Sequence, residues 1–366
     1  MRAPPVVRGF AIIAALILCP IRSALGLAYG FVDLTPSGLA SAEAEGTSGG
    51  QQIGWGESST DQHPHALLWS GTAASAVDLN PTGFYQSLAE GVSGGLQVGW
   101  GIEAGVTHAL LWSGTAASAV DLNPPGFDNS YAYGISGGQQ VGYGLAPSSN
   151  QSHPLLWSGT AASAVDLNPT GFYQSLAEGV SGGQQVGWGI PNGQGNFHAL
   201  LWSGTAASAV DLNPAGFTSS VANGVSGGQQ VGGGVPGASG FGHALLWSGT
   251  AGSAVDLNPA GFVSSNAEAV SGGLQVGSGR ITGGATHALL WSGTAASVVD
   301  LHSYLSPDYG SSAAYGIDAN GDIVGVATLS GGYNHAILWM VVPEPSTGLL
   351  LIAGLLGAGG WRRARA

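Results

Sequence analysis

The residues able to do chemistry in this chain of 366 recur rather than converge. A His-x-Leu/Ile-Leu-Trp motif places His65, His108, His153, His198, His243, His287 and His335 four positions before Trp69, Trp112, Trp157, Trp202, Trp247, Trp291 and Trp339. A Val-Asp-Leu tripeptide adds Asp33, Asp78, Asp121, Asp166, Asp211, Asp256 and Asp300, and serines accompany each copy. Ser, His and Asp are the parts of a nucleophilic triad, but a triad is built once, with nucleophile, base and oxyanion hole converging on one bond. Seven copies fit a network in which imidazole, hydroxyl and carboxylate satisfy one another between strands while Trp fills space between repeats. The repeated His and Trp residues are therefore expected to be structural, and no catalytic residue is assigned. One imidazole per repeat does not supply the three or four convergent ligands that zinc requires. His63 and His65, with Asp61 nearby, do not complete such a set either.

Three further patterns bear on chemistry. Glu45, Glu90, Glu178 and Glu268 share one aligned position, held elsewhere by Tyr133, Asn223 and Tyr315. Glycoside chemistry needs two carboxylates about 5–9.5 Å apart. A position that tolerates Tyr and Asn reads instead as a solvated face. The residue after each Val-Gly (Ile53-Gly54 in the first repeat) is Trp55, Trp100, Tyr143 and Trp188, then Gly233, Ser278 and Val326. Those aromatics suit core packing, with sugar-ring stacking as the alternative. Asp318, Asn320 and Asp322 alternate like the opening of a calcium loop, but Gly321 comes early and Leu329 stands where the closing Glu belongs. Asn320-Gly321 predicts a type I′ hairpin turn. No cofactor is expected, with Ca²⁺ at these three residues kept as the alternative.

Charge narrows the function classes. There are 7 Lys and Arg against 20 Asp and Glu, a net charge of -13. No Lys occurs, and between Arg22 and Arg362 the sole base is Arg280. Nucleic-acid binding needs many cations to neutralise phosphates, so it is excluded. The single Cys, Cys19, lies in the apolar N-terminal stretch, which leaves no thiol chemistry for the body.

These residues must be positioned by what surrounds them. The full unit, HALLWSGTAASAVDLNPTGFYQSLAEGVSGGQQVGWG, contains four short apolar or alternating segments bounded by Gly, Asn-Pro and Ser-Gly turns. Four short strands in about 44 residues is the signature of a propeller blade. The predicted fold is all-β, a seven-bladed β-propeller of seven such repeats, with an open β-solenoid as the alternative. Phe31–Leu34 enters the array and His335–Trp339 leaves it, and inside the array these segments are neighbours. Pairing of residues 31–35 with 335–339 would close the ring and remove the open edges. Residues 65–102 and 153–190 are identical except at Ala66/Pro154 and Leu96/Gln184, so recent duplication is expected rather than a private site in each blade. The repeats resemble the HAF family of extracellular repeats, His-Ala-Leu standing for His-Ala-Phe, most closely at Gly316–Gly325. That resemblance implies an extracellular repeat protein and lends no chemistry.

The ends read as addresses. Arg2 and Arg8, an apolar run Phe10–Cys19, Pro20 and then Gly26-Leu27-Ala28 fit a signal peptide over 1–28, cut between Ala28 and Tyr29. The body is 29–341. The tail, 342–366, consists of Val342-Pro343-Glu344-Pro345-Ser346, an apolar helix over about 347–361, and a basic stop at Arg362, Arg363 and Arg365. This tail resembles the PEP-CTERM sorting signal of Gram-negative bacteria. The resemblance implies export, transient inner-membrane association through the helix, processing by an exosortase-type protease, and residence among extracellular polysaccharides. The expected function is a non-catalytic structural or adhesive part of the cell surface or exopolysaccharide matrix. A propeller polysaccharide lyase or hydrolase is the alternative.

Overall fold

The computed structural model describes residues 28–58, 62–147, 149, 151–237 and 240–342. Residues Tyr29–Val342 form one compact unit. It is a seven-bladed β-propeller, each blade a four-stranded antiparallel sheet in which neighbours in sequence are neighbours in space. Blades 1 to 6 begin at Ala42, Gln86, Asn129, Phe172, Phe217 and Phe262, and blade 7 at Tyr309. In blade 2 the strands are Gln86–Ser93, Leu96–Glu103, Val106–Trp112 and the outermost pair Val120–Asp121. Between the third strand and that pair lies a turn of 3₁₀ helix, Ala116–Ser118 in blade 2.

Blade 7 takes its fourth strand, Ala28–Asp33, from the other end of the chain, beside Asn334–Val342. Leu34 N–H donates to Ala336 O at 2.8 Å, as Leu79 N–H does to Ala66 O within blade 1. The closing blade therefore uses the interior register: Asn334–Val342 is paired on both sides, and Ala28–Asp33 takes the outermost position that the two-residue strands hold in the other blades.

Packing lies between blades. Trp112 of blade 2 is buried with Ile53 and Leu68 of blade 1 and with Leu110 of its own strand. All seven such Trp side chains are fully buried. The glycine of each Val-Gly is fixed by close approach: a Cβ on Gly99 would lie 1.9 Å from Leu88 O on the innermost strand. Buried Gln97 then staples two turns, its amide donating to Gly95 O at 2.9 Å and its carbonyl accepting from Gly114 N–H at 2.8 Å. The same clamp recurs at Gln140, Gln185, Gln230 and Gln275, while blade 7 places Ile323 opposite Trp339 at this position.

Candidate functional site

Each innermost strand carries a β-bulge, and the extra residue is the one at the aligned Glu position. The register of blade 1 skips from Ala44 to Gly46, leaving Glu45 as the bulged residue. Glu90, Tyr133, Glu178, Asn223, Glu268 and Tyr315 occupy the same break in the other blades. A bulge re-aims a side chain that regular alternation would send elsewhere. The innermost strands contact one another in sequence and the last contacts the first, so the bulges form a ring. The spacing is tight: a Cβ on Gly91 would meet Tyr133 O at 2.6 Å, one on Gly224 would meet Glu268 O at 2.7 Å, and one on Gly316 would meet Glu45 O at 3.1 Å.

These carboxylates are not a solvated face, as tolerance of Tyr and Asn had suggested. They are half-buried and feel one another across intervening blades. Burial raises Glu178 to about 7, with the charges of Glu90 and Glu268 adding to it and the Trp188 indole opposing. Burial also brings Glu90 to about 7, opposed by Trp100. Glu45 lies well above the ordinary carboxylate range through burial and then the charges of Glu90 and Glu43. Glu268 is raised by burial against hydrogen bonds from Asn266 and Asn223. The Tyr133 and Tyr315 hydroxyls are also pushed up, first by burial and then by ring neighbours.

The aromatic after Val-Gly is the partner of this ring and lies outside the inter-blade core. Trp100 Nε1–H donates to Glu90 Oε1 at 3.0 Å, and Trp55 and Trp188 serve Glu45 and Glu178 likewise. In blade 3 both positions change together, with Tyr143 hydrogen-bonded to Tyr133. The sequence held this signal as a pairing ten residues apart, 45/55, 90/100, 133/143 and 178/188. The result is a ring of four carboxylates with raised proton affinity, two phenols and one amide. No cluster of three His, Cys, Asp or Glu suited to a metal occurs among the described residues.

The repeated His and Asp residues meet far from this ring, on the outer strands. Each His Nδ1 lies 2.6–2.8 Å from an Asp Oδ2: His65 with Asp78, His108 with Asp121, His153 with Asp166, His198 with Asp211, His243 with Asp256, His287 with Asp300, and His335 with Asp33. The other Asp oxygen accepts a backbone N–H two residues on, as Asp78 does from Asn80 at 2.7 Å. Asn80 in turn accepts from Ser87 of the next blade at 2.8 Å, and Ser87 Oγ accepts Ala66 N–H at 3.1 Å. His–Asp, Asn and Ser thus latch adjacent blades, the Ser–Asn bond recurring at Asn168, Asn213 and Asn258 but not at Asn123. Pro154 removes the backbone donor from the blade 3 copy. In the sixth copy His302 replaces Asn, standing 2.9 Å from Ser312 Oγ and stacked on His287 at 4.3 Å. Ser312 is buried and accepts Ala288 N–H, so this Ser-His-Asp grouping is a latch without an exposed nucleophile.

The calcium candidates come together in the turn of the blade 7 hairpin. Asp318 Oδ1 accepts from Asn320 N–H at 2.8 Å and Asp322 N–H at 3.1 Å, and Oδ2 lies 3.3 Å from Asn320 Nδ2. Gly321 N–H bonds to Asp318 O, and Gly321 alone of the pair has positive φ. The turn is therefore not type I′, which requires positive φ at Asn320 as well. Of the expected addresses, Ala28 and Tyr29 start the closing strand and Val342 ends the last one. Pro343–Ser346, the expected tail helix and Arg362, Arg363 and Arg365 lie outside the described residues. No helix among the described residues is long and apolar enough to cross a membrane.

Residues 341–364 match the PEP-CTERM protein-sorting motif. The chain carries a protein-sorting motif at this end. That motif implies processing by an exosortase and association with the bacterial cell surface. No curated protein sequence matches the chain. In fold it is similar to a puromycin hydrolase, with TM-score 0.56, 13% identity, and coverage of 83% of this chain and 53% of that one. A puromycin-hydrolyzing peptidase of Mycobacterium tuberculosis gives TM-score 0.54, 12% identity, and 84% and 52% coverage. The chain spans about half the length of these enzymes, and the likeness is one of propeller fold alone.

Proposed function

We propose that this protein is a non-catalytic structural or adhesive component of the cell surface or exopolysaccharide matrix of a Gram-negative bacterium. It would reach that place through its signal peptide, transient inner-membrane association and exosortase processing. The supporting observation is the conjunction of the sorting motif with blades that repeat one latch and one ring position. The resemblance of the repeats to HAF repeats belongs to the same proposal. Extracellular polysaccharide is the partner, because repeated weak contacts along a polymer add into avidity. A polysaccharide lyase or hydrolase is the second reading. Glu90 and Glu178, held near 7, favour it, since that range suits a general acid.

Calorimetry of the exported protein against the producer's purified exopolysaccharide, with an assay for newly released reducing or unsaturated ends, separates the two. Saturable binding without cleavage is the expected result. Released ends would overturn it in favour of the enzyme.

A further inference from the structure

A cavity of 510 Å³ lies between the inner parts of blades 5 and 6. Small-molecule sites typically span about 300–1,000 Å³. It opens where the aromatic pattern lapses. In blades 2 and 3, Trp100 packs edge-on against Tyr131 with ring centres 5.5 Å apart, and Tyr131 stacks on Tyr143 at 4.7 Å. Blades 5 and 6 put Gly233 and Ser278 at the Trp100 position, and both line the cavity. Two of its other walls are Phe197, whose ring is partly exposed and edge-packed on Trp188, and Asn266, which donates to Glu268 Oε1 at 2.6 Å.

Arg280 lines the same cavity. It is the only Lys or Arg between residues 22 and 362, it is exposed, and it has no ion-pair partner among the described residues. In so acidic a body this guanidinium, unpaired among the described residues, stands where the aromatic layer of two adjacent blades has been cut away. A guanidinium matches a carboxylate in bidentate geometry. Thr286 and Ser264, paired beside Arg280 on the flanking strands, add hydroxyls, and Phe197 offers a flat apolar surface.

We propose that the cavity between blades 5 and 6 binds a uronate sugar unit, with Arg280 holding its carboxylate, Asn266 and the hydroxyls meeting its hydroxyl groups, and Phe197 lying against its ring. This rests on the matrix reading above and names the sugar class that reading leaves open.

The test is calorimetry of the exported protein with trigalacturonate, free galacturonate and neutral maltotriose. Trigalacturonate should bind one to one. Arg280→Gln, which alters an exposed side chain, should weaken that binding at least tenfold with an unchanged melting curve. Gly233→Trp, which restores the missing aromatic once the Asn266 amide swings aside, should abolish it. Free galacturonate binding as tightly as the trimer marks a released sugar acid as the source, and a trimer preference marks the polymer; both support the uronate site. Equal binding of maltotriose, indifference to Arg280→Gln, or absence of trigalacturonate binding overturns it. Trigalacturonate binding without binding of the producer's exopolysaccharide would sink the matrix reading and leave the pocket assignment standing.

Discussion

His335 Nδ1 lies 2.6 Å from Asp33 Oδ2 across 302 positions of sequence, and this latch joins the two ends of the ring. Asp33 also accepts Thr35 N–H at 2.8 Å and the Tyr309 hydroxyl at 3.2 Å. Asp166, at the same place in blade 3, has only His153 and Asn168 N–H. Asp33→Ala should therefore cost more than Asp166→Ala, on the order of 2 kcal/mol against about 1 kcal/mol. Thermal melts of both variants check this. Equal losses would show that closure does not depend on this carboxylate.

The acid ring predicts a stability that falls as pH rises. In the unfolded chain a Glu releases its proton near 4.5, whereas Glu90 and Glu178 keep theirs to about 7 in the fold. Between those values the folded state binds more protons, so stability declines with increasing pH and levels off above about 7. At pH 8 the cost is on the order of 1–3 kcal/mol per carboxylate. Tm should be several degrees higher at pH 5 than at pH 8, and Glu90→Gln with Glu178→Gln should raise it at pH 8 and flatten the profile. A wild-type Tm that is flat between pH 5 and 8 would contradict the burial of these groups.

Two glycines in one hairpin should behave differently. Gly94 sits in the turn at φ +59 with open space around its would-be Cβ. Gly94→Ala pays only backbone strain, about 1 kcal/mol. Gly99→Ala drives a methyl to 1.9 Å from Leu88 O and forces the two innermost strands of blade 2 apart. Yield of folded protein should be near normal for the first variant and severely reduced for the second. A well-folded Gly99→Ala protein would mean that those strands can separate at little cost.

Blade number, strand order and closure were legible because each depends on a period that a repeat displays many times over. Phe31–Leu34 and His335–Trp339 could be paired at sight, since every internal blade shows those segments side by side. The ring was not legible. Its residues owe their direction to a bulge, and regular alternation read through Ala44-Glu45-Gly46 gives no sign that one residue is extra. Replacement of Glu by Tyr or Asn looks like indifference in sequence, whereas Tyr133 pairs with Tyr143 as Glu90 does with Trp100. Gln97 carries no such signal either, because its role depends on two turns, at Gly95 and Gly114, that its amide joins in space. The cavity at Arg280 depends on what neighbouring blades lack, which no single repeat can display.

Two tryptophans of blade 4 should separate packing from electrostatics. Trp202 is fully buried and its indole N–H has no hydrogen-bond partner, so it acts through shape alone. Trp202→Phe should cost about 1–2 kcal/mol from lost volume and leave the pH dependence of stability unchanged, whereas Trp202→Ala should cost about 3–5 kcal/mol. Trp188 donates to Glu178 and holds its pKa down. Trp188→Phe removes a donor that favours the carboxylate, so Glu178 should titrate above about 7 and the fall in stability should extend to higher pH. Tm measured from pH 5 to 9 on the two Phe variants distinguishes the roles. A shifted profile in Trp202→Phe, or an unshifted one in Trp188→Phe, would contradict this assignment of the two indoles.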